Sequence, residues 1–146
     1  MADSKWADTP MTHWLVAGAA LIWNLFGFSI YYMTVSITPE QMAARYSVEQ
    51  VVYMEGIPVW ATSAFAIAVT MAVIGSVFLL LRNALALPAF IVSLVAILMQ
   101  HTYSFVISDV IAIFGMSQAY IAGTVFGITV LLVLYSRWGS NKGLLT

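Results

Sequence analysis

A small number of polar side chains lie inside otherwise apolar sequence, and they are the candidates for chemistry. Asn24 lies within one apolar stretch, and Gln100, His101 and Ser104 lie within another. Spacings of three and four residues bring the latter group onto one side of a helix. Because an unpaired polar group in an apolar environment is costly, such residues either bond a neighbouring helix or form a ligand site. For Asn24 we favour the structural role over ligand contact.

His101 has three possible roles: a hydrogen bond to a neighbouring helix, which we favour, a proton-sensitive or solute-binding role, and metal or haem ligation. The other histidine, His13, begins a different apolar stretch, and the two lie roughly 25 Å apart in depth at 1.5 Å per residue. They cannot share one iron within a subunit. With two histidines and no cysteine in the chain, we expect no metal site and no cofactor.

Catalysis has little support in the sequence. His101 and Asp109 form the one acid and base pair, and two helical turns, about 12 Å, separate them. No serine or lysine nucleophile has an evident base at matching depth. We therefore expect no catalytic residues and no enzymatic activity.

Depth along the helices also predicts a group of residues that could share a cavity. Aromatic faces with scattered hydrogen-bonding groups would suit a small polar organic solute. The alternative, which we favour, is an ordinary aromatic belt with hydrogen bonds between helices. The residues at similar depth are Tyr31, Trp60, Gln100, His101 and Ser104, and together with Asn24 they make up the hypothetical ligand-binding residues.

The composition defines the class of element that must position these side chains. Of 146 residues, 62% are hydrophobic and 8% are charged, whereas a soluble domain carries roughly a quarter charged residues. The net charge is −1 and there is no basic run, which argues against a nucleic-acid partner. The sequence predicts an all-α membrane protein with the lipid bilayer as its surroundings.

Four charge-free gaps divide the chain into four spans, because each gap holds one helix across a hydrocarbon core about 30 Å thick. Short second and third connections force antiparallel neighbours and an up-down-up-down bundle. We expect residues 1–146 to form a single membrane domain, with a first span that is not a secretory signal. The predicted spans are approximately 14–36, 58–81, 85–108 and 114–136.

The first connection carries a helix-start pattern. Thr38 is a candidate N-cap, Pro39 suits the first helical position, and Gln41 completes a capping box. Apolar residues then recur at helical spacing until Gly56 and a proline end the pattern. We predict a short amphipathic helix over approximately 39–54, serving as a connector that caps the bundle or, less favoured, as a lid over a binding site.

The distribution of Lys and Arg predicts the orientation. Lys5, Arg82, Arg137 and Lys142 fall on one side of an even-numbered bundle, and Arg45 falls on the other. Trp and Tyr, including Trp6 on the first side, form two belts at the same boundaries. We expect both termini to be cytoplasmic and the chain to span a cell's inner (cytoplasmic) membrane.

Stripes of small residues predict where helices pack closely. Span two carries an alanine stripe, and span four carries Ala119, Gly123 and Gly127. The span-four stripe suits packing inside one bundle, which we favour, or contact with another subunit.

Several motifs together resemble a group of uncharacterised small four-span bacterial integral membrane proteins. They are Trp23-Asn24-Leu25 with Gly27, Thr38-Pro39-Glu40, Pro58 with Trp60, Leu79-Leu80-Leu81-Arg82, and Gln100 with Ser104-Phe105. The resemblance implies the four-span fold. Some members carry the label of sugar transporter, which keeps solute transport as a named alternative.

The sequence therefore favours a non-catalytic membrane protein that acts through helix contacts. It would work as a homo-oligomer or as an accessory subunit of a larger membrane complex. The alternative is a transporter of a small neutral, sugar-type solute that works as an oligomer.

Overall fold

The computed structural model describes residues 9–146, and the regular structure in that range is entirely helical. Lys5 and Trp6, on which the predicted orientation partly depends, lie outside the described residues. The α-helices are α1 (Met11–Ser36), α2 (Pro39–Arg45), α3 (Val48–Glu55), α4 (Val59–Leu80), α5 (Ala86–Thr102), α6 (Val110–Phe114) and α7 (Ser117–Asn141). A π-helical turn, Tyr103–Ile107, continues α5.

Four of these helices are long and apolar enough to cross a membrane: α1, α4, α5 with its π-helical turn, and α7. They contain 22 to 26 residues, and 22 residues extend about 33 Å, close to the thickness of a hydrocarbon core. At most 33% of the most apolar window of any of them is buried, so most of this apolar surface faces outward. The prediction of an all-helical fold is confirmed over residues 9–146, and the four long apolar helices support the prediction of a multi-pass membrane protein.

The closest helix packing is between α4 and α5, where small side chains meet large ones. The alanine stripe of α4, from Ala61 to Ala72, is buried, as the small-residue pattern predicts. A Cβ atom on Gly75 would lie 2.9 Å from the ring of Phe90, which is fully buried. The Ser93 hydroxyl donates to the carbonyl of Ala68 at 2.8 Å. Helix α1 packs on α4, and α7 packs on α5.

One end of the molecule, which we call the Arg82 end, holds the connection between α4 and α5 and the end of α7. Helices α4 and α7 each end with the backbone hydrogen bonds of a Schellman motif. In α4 the left-handed residue is Arg82 (φ 55°), and in α7 it is Gly143 (φ 70°). The Arg82 Nε donates to the carbonyl of Leu144 at 2.8 Å, and Leu145 packs into the core against Gly139.

The first connection forms two helices, α2 and α3, where a single helix over 39–54 is expected. The capping box of Thr38 and Gln41 is confirmed. A second capping box follows, in which Ser47 accepts from the backbone of Gln50 and the Gln50 side chain returns to Ser47. This second box starts a new helix, and the extended backbone of Tyr46 (φ −123°, ψ 153°) ends the first.

The fourth long helix begins and ends later than the expected span of 114–136. The Asp109 carboxylate accepts from Ala112 and starts the short helix α6, which Gly115 ends with a φ of 88°. Helix α7 therefore starts at Ser117. It continues beyond Arg137 to Asn141, where Gly143 supplies the left-handed turn.

Candidate ligand-binding cavity

A cavity of about 450 Å³ lies among α1, α4, α5 and α7. We call it the central cavity. Its polar lining residues are Asn24, Ser93, Gln100, His101, Ser104, Gln118 and Thr129. Its other lining residues are Trp23, Phe26, Gly27, Ile30, Phe65, Ala68, Val69, Ala72, Ile97, Phe105, Val110, Ile121, Ala122 and Val125.

Three neighbouring residues of α5 and its π-helical turn form the polar cluster of the cavity. His101 Nδ1 lies 2.7 Å from Gln100 Oε1, and Gln100 Nε2 lies 3.1 Å from the Ser104 hydroxyl. On the other side, His101 Nε2 lies 3.3 Å from the carbonyl of Ala122 on α7. The Phe105 ring meets the imidazole edge to face at 5.7 Å. The cluster therefore joins α5 to α7 inside the cavity wall.

The hydrogen bonds of this cluster select one arrangement for a neutral imidazole. With Gln100 Oε1 toward His101, both ring nitrogens face acceptors, and a neutral ring donates from only one nitrogen. Exchanging the positions of the amide oxygen and nitrogen of Gln100 leaves the shape of the side chain unchanged. The Ser104 hydroxyl then donates to Gln100 Oε1, Gln100 Nε2 donates to His101 Nδ1, and His101 Nε2 donates to Ala122. Every member is paired without a charge.

The polar residues deeper in the cavity wall are already bonded inside the bundle. Asn24 Nδ2 donates to the Ser76 hydroxyl at 2.8 Å and to the carbonyl of Ala72 at 3.4 Å. Ser93 bonds Ala68, and the Thr129 hydroxyl donates to Val125 in its own helix. Asn24 thus joins α1 to α4, which agrees with the structural role favoured from the sequence, while its Oδ1 atom stays available.

Of the polar lining residues, sequence reasoning missed Ser93 and Thr129, which bond backbone carbonyls, and Gln118. Gln118 lies at the start of α7, and its side chain makes no hydrogen bond to the residues that the structure describes. The available signal was its spacing, because Gln118, Ala122, Val125 and Thr129 recur on one face of α7. Trp23, which the sequence places deep in a span, also lines the cavity.

Two of the six predicted ligand-binding residues lie outside the lining of the central cavity. The Tyr31 ring packs edge to face on Phe65 at 5.2 Å. The Trp60 ring packs edge to face on Tyr103 at 5.7 Å. Counting residues along each helix predicts the depth of a side chain in the membrane. It does not predict the direction of the side chain, which depends on packing against other helices. Asn24, Gln100, His101 and Ser104 do come together.

The π-helical turn lies directly beside the polar cluster and contributes Ser104 and Phe105 to the cavity. Its wide turn is closed by a hydrogen bond of 2.8 Å from Ser108 N to the carbonyl of Tyr103. The Ser108 hydroxyl bonds the same carbonyl and lies 3.2 Å from the Tyr53 hydroxyl of α3. Such turns often occur at functional sites. The sequence offered no signal for this one.

At its two glycines, the predicted packing stripe of the fourth span meets no neighbour among the described residues. A Cβ atom on Gly123 or Gly127 would meet nothing within 4 Å, and Gly123 is exposed. Ala119 is half-buried. The favoured expectation, packing of this stripe inside one bundle, is therefore not met at the two glycines.

A second depression of about 450 Å³ lies between the end of α1 and the helices α2 and α3. Arg45, Tyr46 and Tyr32, all exposed, contribute to its wall. It lies outside the group of four long helices and lacks the bonded polar cluster, so the central cavity is the stronger candidate site.

No protein-family model, curated protein or solved structure matches this chain.

Proposed function

We propose that this is a non-catalytic membrane protein that binds a small uncharged molecule in the central cavity. The observation that carries the proposal is the cavity itself. Its volume of about 450 Å³ lies within the range of roughly 300 to 1,000 Å³ usual for ligand pockets. Like such pockets, it has a mainly apolar wall with a few convergent polar groups. This supports the solute-binding alternative over a role in helix contacts alone.

The chemistry of the lining supports both an uncharged ligand and the absence of catalysis. Among its residues, all within 9–146, there is no Asp, Glu, Lys or Arg. A charged ligand would therefore lose its hydration without gaining an ion pair, which costs several kcal/mol. Both ring nitrogens of His101 are bonded, to Gln100 and to Ala122, so neither is directed at a carboxylate or at a hydroxyl.

The proposal includes the finer topology. We infer an up-down-up-down bundle in a bacterial inner membrane with both termini in the cytoplasm, supported by the excess of Lys and Arg at the Arg82 end. Helices α2 and α3 would then form an amphipathic segment on the outer surface. The central cavity would lie nearer that outer surface, since Val110 of α6 contributes to its wall.

Native mass spectrometry of the full chain, extracted with a mild detergent, tests the proposal. We expect a bound small molecule on the wild-type protein. Ala122→Phe places a ring in the cavity and should remove that adduct. Thr124→Phe, on the exposed side of the same helix, is the matched control and should keep it. An adduct that survives Ala122→Phe, or a wild-type protein with none, would contradict the proposal.

The uncovered glycines of α7 favour a second candidate function, contact with another membrane subunit. A helix can approach Gly123 and Gly127 closely because no side chain in the range 9–146 covers them. This candidate is compatible with ligand binding, since a solute path would need more than one subunit.

The chain has no cysteine, so single cysteines can report this contact directly. We expect Gly123→Cys to give a disulfide-linked dimer in membranes, and Leu98→Cys, an exposed position on α5, to give none. Purified protein should also have the mass of an oligomer or of a complex. A strictly monomeric particle without a co-purifying protein would exclude this second function.

A further inference from the structure

We propose that the ligand of the central cavity is an uncharged amphiphile, with one apolar chain and a single hydroxyl or carbonyl head. We further propose that it enters from the bilayer between α1 and α7. This inference rests on the proposed function and names the substrate class of the same site. It differs from the sugar-type solute, which would arrive from water.

The head group has a defined place between α5 and α7. Gln118 offers an amide with both donors and an acceptor, and it has no hydrogen bond to the described part of the chain. The same cavity is lined by the cluster of Gln100, His101 and Ser104, and the hydroxyl and amide oxygens of this cluster can each accept a further hydrogen bond. One hydroxyl between them can accept from Gln118 and donate to the cluster, whereas a carbonyl can accept from Gln118.

The number of available polar groups argues against a sugar. A hexose carries about five hydroxyls, and each one buried without a partner loses about a factor of five to a hundred in affinity. In the cavity wall, Ser93 and Thr129 are committed to backbone carbonyls, and the amide nitrogen of Asn24 is committed to α4. The groups that remain are Gln118, Asn24 Oδ1 and the oxygens of the polar cluster, and most of the lining is aromatic or aliphatic, so a ligand with fewer hydroxyls than a hexose suits the cavity better.

The position of the exposed lining residues indicates the route of entry. Phe26 and Ile30 on α1 are 61% and 44% exposed, and Ile121 on α7 is 57% exposed. Four of the lining residues on α4 and α5 are buried, namely Ala68, Ala72, Ser93 and Ile97. The cavity is therefore closed on the α4–α5 side, and its apolar rim lies on α1 and α7. In a spanning protein that rim faces hydrocarbon, so the ligand reaches the cavity without crossing water.

Helices α1 and α7 meet at the Arg82 end, through His13 Nδ1 and the Tyr135 hydroxyl at 3.0 Å. This contact holds the two helices together at the Arg82 end, more than three helical turns along the chain from the rim residues. The chain of the ligand would lie along Trp23, Ile97 and Val125, with its head toward Gln118.

The saturable part of the quenching of Trp23 fluorescence by bromine measures occupancy, because Trp23 lines the cavity and is also 37% exposed to the surroundings. The full chain is placed in nanodiscs, and 10-bromodecan-1-ol is compared with 1-bromodecane. The Trp23 signal is the difference between the wild-type chain and Trp23→Phe. We expect saturable quenching, with half-saturation by the alcohol at about a fivefold lower mole fraction than by the alkane, the effect of one hydrogen bond.

Two matched controls locate this effect in the cavity. Gln118→Met keeps the side-chain length and should raise the half-saturation of the alcohol about fivefold while leaving the alkane unchanged. Thr124→Val, outside the cavity, should change neither. The signal of Trp138, exposed at the Arg82 end, should decrease in proportion to probe concentration, as expected for simple partition into the bilayer.

The outcomes separate this inference from the proposed function. Equal half-saturation by alcohol and alkane would overturn the head-group assignment. A change of Trp23 emission with aqueous glucose, without saturable quenching by the alcohol, would overturn the amphiphile and leave ligand binding intact. Absence of saturation with every probe, together with no adduct in native mass spectrometry, would overturn both. If Gln118→Met fails to fold, Ser104→Ala replaces it, with the same expected direction.

Discussion

His13 joins three helices through one side chain. It is fully buried at the Arg82 end, where Nε2 lies 3.0 Å from the carbonyl of Leu79 on α4 and Nδ1 lies 3.0 Å from the Tyr135 hydroxyl on α7. A carbonyl only accepts, so Nε2 carries the proton and Nδ1 accepts from Tyr135. One neutral imidazole therefore satisfies both neighbours of α1.

Tyr135→Phe removes one member of this set and leaves Nδ1 buried without a donor. We expect the free energy of unfolding to decrease by about 1 kcal/mol, the usual size for a hydrogen bond between membrane helices. Thermal unfolding in detergent measures the change. Tyr120→Phe, an exposed position on the same helix, should have no effect, and equal midpoints for the two variants would count against the bridging role.

At the scale of elements, the tight crossing of α4 and α5 depends on the missing side chain of Gly75. The Phe90 ring occupies the space that a Cβ atom would take. This contact lies beside the buried core of Leu79, Ala86 and Phe90. A packed interior of this kind has little freedom to move aside.

Gly75→Ala should therefore lower the free energy of unfolding by about 1 to 3 kcal/mol, since overpacking outweighs the gain in helix propensity. Adding Phe90→Leu should restore part of the loss. Gly18→Ala is the control, because nothing lies within 4 Å of its Cβ position. Thermal unfolding of the four proteins checks the order, and a Gly75→Ala variant as stable as Gly18→Ala would refute the close contact.

The two capping boxes of the first connection act on separate helices. Ser47→Ala should lower the free energy of local unfolding of α3 by about 1 kcal/mol, because the backbone N–H of Gln50 loses its acceptor. Amide hydrogen exchange should then rise over residues 48–55 and stay unchanged over 39–45. Thr38→Ala should give the reverse pattern. Faster exchange across both ranges in either variant would mean that α2 and α3 open as one unit.

For the whole molecule, the connections between the four long helices lie at two opposite ends. Arg82 and the end of α7 lie together, bonded through Leu144. Helices α3 and α6 lie together at the other end, where Gln50 Nε2 donates to the carbonyl of Ile113 at 3.3 Å. Under the proposed topology these ends face the cytoplasm and the outside, respectively.

Labelling of single cysteines in intact cells tests that orientation. Glu49→Cys on α3 should react with a membrane-impermeant maleimide added outside, and Ala84→Cys between α4 and α5 should react only after the cells are opened. Both positions are exposed, so their difference reports the side of the membrane. The reverse pattern would invert the topology, and external labelling of both would argue against four spans.

The sequence predicted the number of long helices because charges are scarce and lie between them. It singled out Asn24, Gln100, His101 and Ser104 as candidates, because polar residues in apolar spans have few alternatives, but it favoured a structural role for Asn24 and for the group. It did not predict the π-helical turn, the break at Tyr46 or the directions of Tyr31 and Trp60. These depend on local hydrogen bonds and on packing against residues far away in the chain, which spacing along one helix does not contain.

The neutrality of the cavity lining has a consequence for the electrical behaviour of the protein. An elementary charge moved across the membrane gains or loses about 2.3 kcal/mol for each 100 mV of potential. With a neutral His101 and an uncharged ligand, occupation of the central cavity moves no charge through that field. Loading and release would then be the same in an energised cell and in a depolarised one, and would follow the concentration of ligand in the bilayer.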